Sequence, residues 1–420
     1  MSARRIEPVD HAVSGLVVVP GSKSITNRAL LAAALADGTS RISGALVADD
    51  AVAMIDAVTQ LGARVKVTDG GRTLVVTGTA GALPDNAIAL YANQAATVGR
   101  FVAAVAAAGT AAVTIDADPQ LRARPISPLF AALRELGAQV RDTDGYLPVT
   151  IVGPARGGSV TVPAGISSQF ISALLLAGPL FGKGVQVQLE GTQVSTGYIA
   201  LTASVMRRFG VSPALYPAAC AVAPGAYVAT DFAVEPDASA ASYFFAAAAM
   251  TGGEVRVDGL GTASHQADLR LVRILELMGA EVEMTSDHTT VRGVGPLVGV
   301  DVDMSDCSDM VPTLAVAAAS ARTPTTIRGV AFIRKKETDR VSVSARELRR
   351  CGVQVEEFDD GLTIHPGPRK GAVIDPAGDH RMAMAFATLG LVTPGMAIED
   401  PGCVAKTFPD FWDVLDRLLT

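Results

Sequence analysis

The chain has 420 residues, 49% of them hydrophobic and 18% charged, and 35 Lys and Arg against 42 Asp and Glu give a formal net charge of −7. That apolar content excludes a disordered chain, and the length implies two or three domains that each bury a sizeable core rather than a disulfide-stapled miniature. The acidic balance excludes a general nucleic-acid binder, and taken as a whole-chain sum it disfavours anionic ligands as well.

The opening residues Met1–Pro8 are followed by no apolar run, so no secretory signal is predicted and a cytoplasmic location is expected. The most apolar stretches, Phe101–Ile115 and Ile171–Phe181, fall short of the ~18 residues that a membrane span needs. Cys220, Cys307, Cys351 and Cys403 are scattered without a C-x-x-C pair, which predicts buried reduced thiols and no zinc site. The five histidines (His11, His265, His288, His365, His380) form no metal pattern.

One pattern recurs along the chain: an amphipathic helix, a glycine just past its end, then two short strands around a polar turn. It is read at Ala51–Leu61 with strands flanking Asp69-Gly70-Gly71, and at Ser127–Leu136 with a turn near Asp144-Gly145. It returns at Ile199–Phe209 with a less clear hairpin, at Leu269–Met278, and at Val341–Cys351 with a turn at Asp359-Asp360-Gly361. Apolar spacing gives each helix one buried stripe, glycine takes the left-handed position that ends it, and Asp-Gly closes the hairpin. The glycines stand at 62, 137, 210, 279 and 352. A period near 70 residues fits about six times into the chain, the mark of one supersecondary unit copied. The sixth copy would need the C-terminal helix Pro409–Leu419 and the N-terminal strand Gly15–Val19.

Polar residues interrupt this apolar pattern at seven places. In order they are Pro20–Arg28 ahead of a helix at Ala29–Ala36, Thr97–Arg100 ahead of a helix at Phe101–Ala108, Arg122–Ile126, Ser167–Phe170 ahead of a helix at Ile171–Leu176, Arg334–Arg340, Asp379–Met384 and Ala405–Asp410. The first is not a P-loop, because Ser22 rather than glycine precedes Lys23. Each segment alone reads equally as a capped helix or a solvated charge run. Together they place arginine or lysine beside helix starts in both halves of the chain. Helix N-termini favour anions and arginine forks bind carboxylate and phosphate, so the set suits a ligand with several anionic groups. Glu337, a carboxylate among these cations, is a candidate general acid or base.

These segments resemble the 5-enolpyruvylshikimate-3-phosphate synthases, a family of enolpyruvyl transferases, over essentially the whole chain. The matching motifs are P-G-S-K-S-x-x-N-R at Pro20–Arg28, R-P-I at Arg124–Ile126, S-S-Q-F at Ser167–Phe170, E-x-D-A-S-x-A-S-Y at Glu235–Tyr243, K-E-T-D-R at Lys336–Arg340, D-H-R-M-A-M at Asp379–Met384 and K-T-F-P at Lys406–Pro409. The resemblance implies an α/β fold of two similar domains, each of three βαβαββ units in a pseudo-threefold, inside-out α/β barrel, with the active site in the interdomain cleft. Domain I would be residues 1–19 plus 237–420 and domain II residues 20–236. It implies transfer of the enolpyruvyl group of phosphoenolpyruvate to the 5-hydroxyl of shikimate 3-phosphate, with release of phosphate, in the shikimate pathway to chorismate and the aromatic amino acids. No metal and no organic cofactor are expected. No nucleic-acid or membrane partner is expected either, and the chain is expected to be a monomer.

By the same resemblance Lys23, Ala96, Arg100, Arg124, Gln169, Arg340, Arg381 and Lys406 would bind phosphoenolpyruvate. Lys23, Ser24, Arg28, Ser167, Ser168, Gln169, Ser195, Tyr198, Asp309 and Lys336 would bind shikimate 3-phosphate. Glu337, Asp309 and Lys23 would be catalytic, with Glu337 protonating the methylene carbon and later removing a proton as phosphate leaves. Asp309 is placed in that set because Pro312 is followed by Thr313, which leaves the acid three residues before the proline. His380 would hydrogen-bond near the phosphate.

Four residues depart from the family pattern: Gln94, Ala96 where the family has a glycine lining the phosphoenolpyruvate pocket, Gly197 in Ser195-Thr196-Gly197-Tyr198 where the family has S-x-P-Y, and Phe332. A methyl group at Ala96 removes room that only glycine leaves, which predicts low sensitivity to glyphosate with substrate binding retained. The cations split into two sets, Lys23, Arg28, Arg100 and Arg124 against Lys336, Arg340, Arg381 and Lys406, and their repulsion is expected to hold the cleft open until anions bridge it. Two alternatives stand beside this reading: a catalytically altered paralogue that only binds shikimate-like ligands, and the sister transferase acting on UDP-N-acetylglucosamine, whose usual cysteine is missing from the loop Asp116–Ala123. A relaxed acceptor specificity rests on Phe332 alone.

Overall fold

The computed structural model describes residues 3–419. Contacts divide the chain into two units, unit 1 formed by Met1–Pro20 with Glu235–Thr420, and unit 2 formed by Gly21–Val234. Each has its own hydrophobic core.

Among the described residues six small sheets repeat one design, three in each unit. In unit 2 the first sheet pairs Phe232–Ala233 parallel to Thr39–Ser43, and the latter antiparallel to Thr73–Thr77, which closes a hairpin with Arg64–Thr68. The second repeats this with Ile88–Tyr91, Val113–Asp116, Tyr146–Val152 and Gln139–Thr143. The third uses Gly158–Pro163, Val185–Glu190, Ala219–Val222 and Ala214–Tyr216, so the hairpin that was indistinct in the sequence is formed. Unit 1 builds the same order from Gly15–Leu16, Glu254–Asp258, His288–Arg292 and Glu281–Met284, and from Asp301–Asp303, Thr325–Arg328, Gly361–His365 and Gln354–Phe358. The five helix-ending glycines, Gly62, Gly137, Gly210, Gly279 and Gly352, all have left-handed φ between 83° and 105°.

The sixth sheet corrects the sequence reading. Val373–Ile374 runs parallel to Met396–Ile398, whose other neighbour is Arg4–Ile6, not Gly15–Val19. Gly15–Leu16 instead joins Glu254–Asp258 in the fourth sheet. Both N-terminal segments are short, and only pairing decides which sheet each enters.

Helix starts also move. The first helix runs Lys23–Leu35, not Ala29–Ala36, because Thr26, Asn27 and Arg28 are buried and bonded rather than solvated. The helix expected at Phe101–Ala108 begins as a π-helical turn, Val98–Val102, and continues as Ala103–Ala106. The helix expected at Ile171–Leu176 is Ser168–Ala177, and the last is Phe411–Leu418.

The helices between the parallel strands form the centre of each unit. In unit 1 these are Ala238–Thr251, Val311–Ala319 and His380–Gly390, which pack on one another. Their alanine-rich faces permit close approach, and each is buried on nearly every side. Their N-terminal ends carry the polar motifs. No helix among the described residues is long and apolar enough to cross a membrane.

Candidate active site

In unit 2 the first cation cluster gathers at three helix starts. Gly21 precedes the first because a Cβ there would lie 1.8 Å from the Gly44 carbonyl oxygen. The Ser22 carbonyl then accepts from Thr26 N–H at 2.8 Å. Lys23 Nζ lies 3.1 Å from Asp50 Oδ2, a carboxylate in the first turn of helix Asp49–Gln60. Arg28 is 1% exposed; its Nε donates to Thr202 Oγ1 at 2.7 Å, its Nη1 to the Ser24 carbonyl at 2.9 Å and its Nη2 to Ser172 Oγ at 3.4 Å. Its guanidinium also faces the rings of Phe101 and Tyr198, 5.1 and 5.9 Å from their centroids. Burial pulls the Arg28 pKa down to about 10, and it stays charged at neutral pH. Among the described residues no carboxylate pairs with Arg28. A buried cation held only by neutral groups favours an incoming anion.

The second helix start is the turn before Val98. Asn93 takes a left-handed φ of 49°, Ala96 is buried, and Thr97 Oγ1 accepts from Asn27 Nδ2 at 2.8 Å. Arg100 lies in the π-helical turn, donates from Nη1 to Gln169 Oε1 at 2.6 Å and sits 5.1 Å from the Phe170 ring centroid. Such turns often occur at functional sites because they shift one side chain out of register. The third start is capped by Ser167, whose Oγ accepts from Gln169 N–H at 3.3 Å, with Ser168 buried behind it. Thus Arg28–Ser172, Asn27–Thr97 and Arg100–Gln169 tie the three starts together. Arg124 is buried just past the short helix Pro119–Arg122. Arg122, in the same sequence motif, is instead paired with Asp116 at the surface. Ser195 holds a left-handed φ of 54°, rare for serine, and its carbonyl accepts from Tyr198 N–H at 3.1 Å.

In unit 1 the second cluster is organised around Arg340, which is 1% exposed. Its Nε and Nη2 form a fork on Asp379 at 2.7 and 3.4 Å. Nη1 donates to Asp309 Oδ1 and Nη2 to Glu337 Oε2, each at 2.8 Å. Burial alone would weaken the Arg340 cation, but Asp379, Glu337 and Asp309 outweigh it and raise its pKa. Asp309 also accepts from Arg381 Nη2 at 2.9 Å and lies 3.6 Å from Lys336 Nζ. Burial opposes its charge, yet Arg381, Lys336 and Arg340 together hold its carboxyl well below the usual carboxylate range. Glu337 Oε1 lies 3.5 Å from Lys406 Nζ, so this carboxylate stands between Arg340 and Lys406. Lys336 Nζ is 5.9 Å from the Phe332 ring centroid. His380 is buried with Nδ1 3.8 Å from Asp379 Oδ1.

Three carboxylates in these clusters were not singled out from the sequence. Asp379 reads as a helix cap, and it is one, accepting from Arg381 N–H at 2.8 Å, but its larger role is to fork Arg340. Asp50 reads as an acidic first-turn residue. Asp268 reads likewise, as an acidic residue in the short turn Ala267–Leu269 just ahead of helix Arg270–Leu277. Cys220, Cys307 and Cys351 are buried free thiols, Cys403 is half-buried, and burial raises the pKa of each. Among the described residues no group of three or more His, Cys, Asp and Glu is arranged to hold a metal ion.

The family model for EPSP synthase (3-phosphoshikimate 1-carboxyvinyltransferase) matches residues 9–415. The chain belongs to the EPSP synthase family. A 3-phosphoshikimate 1-carboxyvinyltransferase of Trichormus variabilis is 42% identical over 417 residues, covering 98% of this chain and 98% of the relative. That of Methanosphaerula palustris is 44% identical over 415 residues, covering 97% and 96%. The solved EPSP synthase of Acinetobacter baumannii superposes with a TM-score of 0.84 at 28% identity, covering 100% of this chain and 98% of that one. The EPSP synthase likeness runs through both units, so each cation cluster lies inside the matched region.

Proposed function

We propose that this chain transfers the enolpyruvyl group of phosphoenolpyruvate to the 5-hydroxyl of shikimate 3-phosphate and releases phosphate. The observation that carries this is the position of Glu337 between Arg340 and Lys406, with Asp309 on the same guanidinium. An alkene carbon is a poor base, so protonating it needs an acid fixed in place and cations that stabilise the charge elsewhere on the substrate. Glu337 gives its proton to the methylene carbon, and C2 becomes electrophilic. The 5-hydroxyl adds to C2 as Asp309 takes its proton, and the tetrahedral adduct carries both substrates' anionic groups. Loss of a methyl proton to Glu337 and departure of phosphate then restore the double bond.

Lys23, Ala96, Arg100, Arg124, Gln169, Arg340, Arg381 and Lys406 are assigned to phosphoenolpyruvate. Lys23, Ser24, Arg28, Ser167, Ser168, Gln169, Ser195, Tyr198, Asp309 and Lys336 are assigned to shikimate 3-phosphate. Arg28 supports that division, being a charged group kept free of carboxylates by Thr202, Ser172 and the Ser24 carbonyl. The reading extends to a monomeric cytosolic enzyme of aromatic amino acid biosynthesis and, because of Ala96, to low glyphosate sensitivity. Phosphate release from the two substrates tests the assignment: turnover by the unaltered chain, lost by more than about a hundredfold in Glu337→Gln, is expected. A folded chain that releases no phosphate would overturn it.

A further inference from the structure

Asp309 has an unusual setting for a proton acceptor. Arg340, Arg381 and Lys336 all press on it, and cations that stabilise a carboxylate weaken it as a base. A second carboxylate, so far without a role, bears on the same group. Asp268 is 5% exposed and lies on the 3-10 turn Ala267–Leu269. That turn packs against helix Ala238–Thr251 and against the 3-10 turn Ser308–Met310, which carries Asp309. The Ser239 hydroxyl, in the first turn of the helix, donates to the Asp268 carboxylate and fixes it. The Ser239 hydroxyl bonds Asp268, and the charges of Asp309 from the Ser308–Met310 turn, Arg381 from helix His380–Gly390 and Asp237 from the helix start act on it, while Cys307 feels both Asp268 and Arg270, the first residue of the following helix. Arg381 is the cation that also donates to Asp309.

We propose that Asp268, held by Ser239, is a positioning residue that draws on Arg381 and so lightens the cationic load on Asp309, keeping it competent to accept the proton of the acceptor hydroxyl. The charge of Asp268 is what does this, so its protonation state matters. Burial first, then the Asp309 charge, raise its carboxyl to about 6 against the pull of Arg381. The aid to Asp309 is therefore present above pH ~6 and absent below it. This inference rests on the enolpyruvyl-transfer reading of the site.

The experiment compares the unaltered chain with Asp268→Asn, which keeps the size and the Ser239 bond but removes the charge. Two quantities are followed from pH 5 to 8. The first is kcat/KM for shikimate 3-phosphate. The ratio of variant to unaltered enzyme should be near one at pH 5 and fall to ~0.1 at pH 8, one pK unit's worth of lost basicity. The second is the melting temperature without substrate. A raised carboxyl stabilises the fold while protonated, and that stability is lost as the pH rises through ~6, so the variant's Tm advantage should grow across that range. A simply structural asparagine defect would lower activity by the same factor at every pH. Such a pH-independent ratio overturns the proposal whatever the melting curves show. If the unaltered chain turns over no substrate, it is the enolpyruvyl-transfer reading that fails. The melting comparison then decides alone, and a Tm difference that does not change with pH rejects the role of Asp268.

Discussion

The Arg340–Asp379 fork is the most exacting test of how unit 1 builds its cluster. Asp379 is fully buried, as is Arg340, and the two meet through Nε–Oδ2 at 2.7 Å and Nη2–Oδ1 at 3.4 Å. Asp379→Ala leaves one edge of a buried guanidinium facing a gap. Removing one partner of a buried pair costs about 3–5 kcal/mol. The Arg381 N–H also loses its acceptor, a cap worth about 1 kcal/mol, but one side chain makes both contacts and the two costs do not simply add. Asp309 and Glu337 still hold Arg340, each at 2.8 Å, which places the expected loss near the lower bound, about 3 kcal/mol. At ~2–4 °C per kcal/mol for a body of this size, Tm should fall by roughly 6–12 °C. Asp379→Asn retains the cap and the volume and should lose about half as much. Calorimetry and urea unfolding of both variants give these numbers. An Asp379→Ala protein within about 1 kcal/mol of the unaltered one would refute the view that this fork anchors Arg340.

Three further outcomes are expected. Ala96→Gly should increase inhibition by glyphosate at least tenfold while KM for phosphoenolpyruvate changes by less than about threefold, measured in the phosphate-release assay; equal inhibition of both proteins would remove Ala96 as the cause. Gly21→Ala should lower Tm markedly or abolish soluble expression, because its Cβ would meet the Gly44 carbonyl oxygen at 1.8 Å, and an unchanged melting curve would contradict the packing described. Asp309→Asn should destabilise the chain at pH 7. A carboxyl held below its usual range contributes stability above its unfolded pKa of ~3.9 and loses it as pH falls through the depressed value, so the variant's penalty should persist to pH ~4 and shrink only in stronger acid.

The repeat was legible because each copy ends its helix on a glycine whose backbone the structure shows to be left-handed, and that requirement is local. The sixth copy was misread because Arg4–Ile6 and Gly15–Leu16 are both too short to declare a partner, and pairing across the chain decides between them. The cations were legible as polar breaks in apolar runs. The helix starts around them were not, since Asn27 and Arg28 are polar in sequence but buried in place. Asp379, Asp50 and Asp268 escaped notice for a related reason. A carboxylate at a helix start already has a sufficient local explanation as a cap or a dipole partner. Only the distances to Arg340 and Lys23, and the bond from Ser239, reveal the second role. The whole-chain charge of −7 likewise says nothing of a buried arginine whose neighbours are hydroxyls.

The two-crossing path of the chain has a consequence for the order of assembly during synthesis. Unit 2 is one continuous segment, and its two ends meet, with a Cβ at Gly21 falling 3.3 Å from Val234 Cγ1. It can therefore close on itself while later residues are still being added. Unit 1 cannot. Its strand Arg4–Ile6 waits for Met396–Ile398, and Arg4 waits for Asp416, a partner 412 residues away. Residues made before unit 2 are thus satisfied only by residues made after it. Unit 1 is the later one to be completed, and a pause or truncation late in translation would leave a folded unit 2 tethered to an unfinished partner.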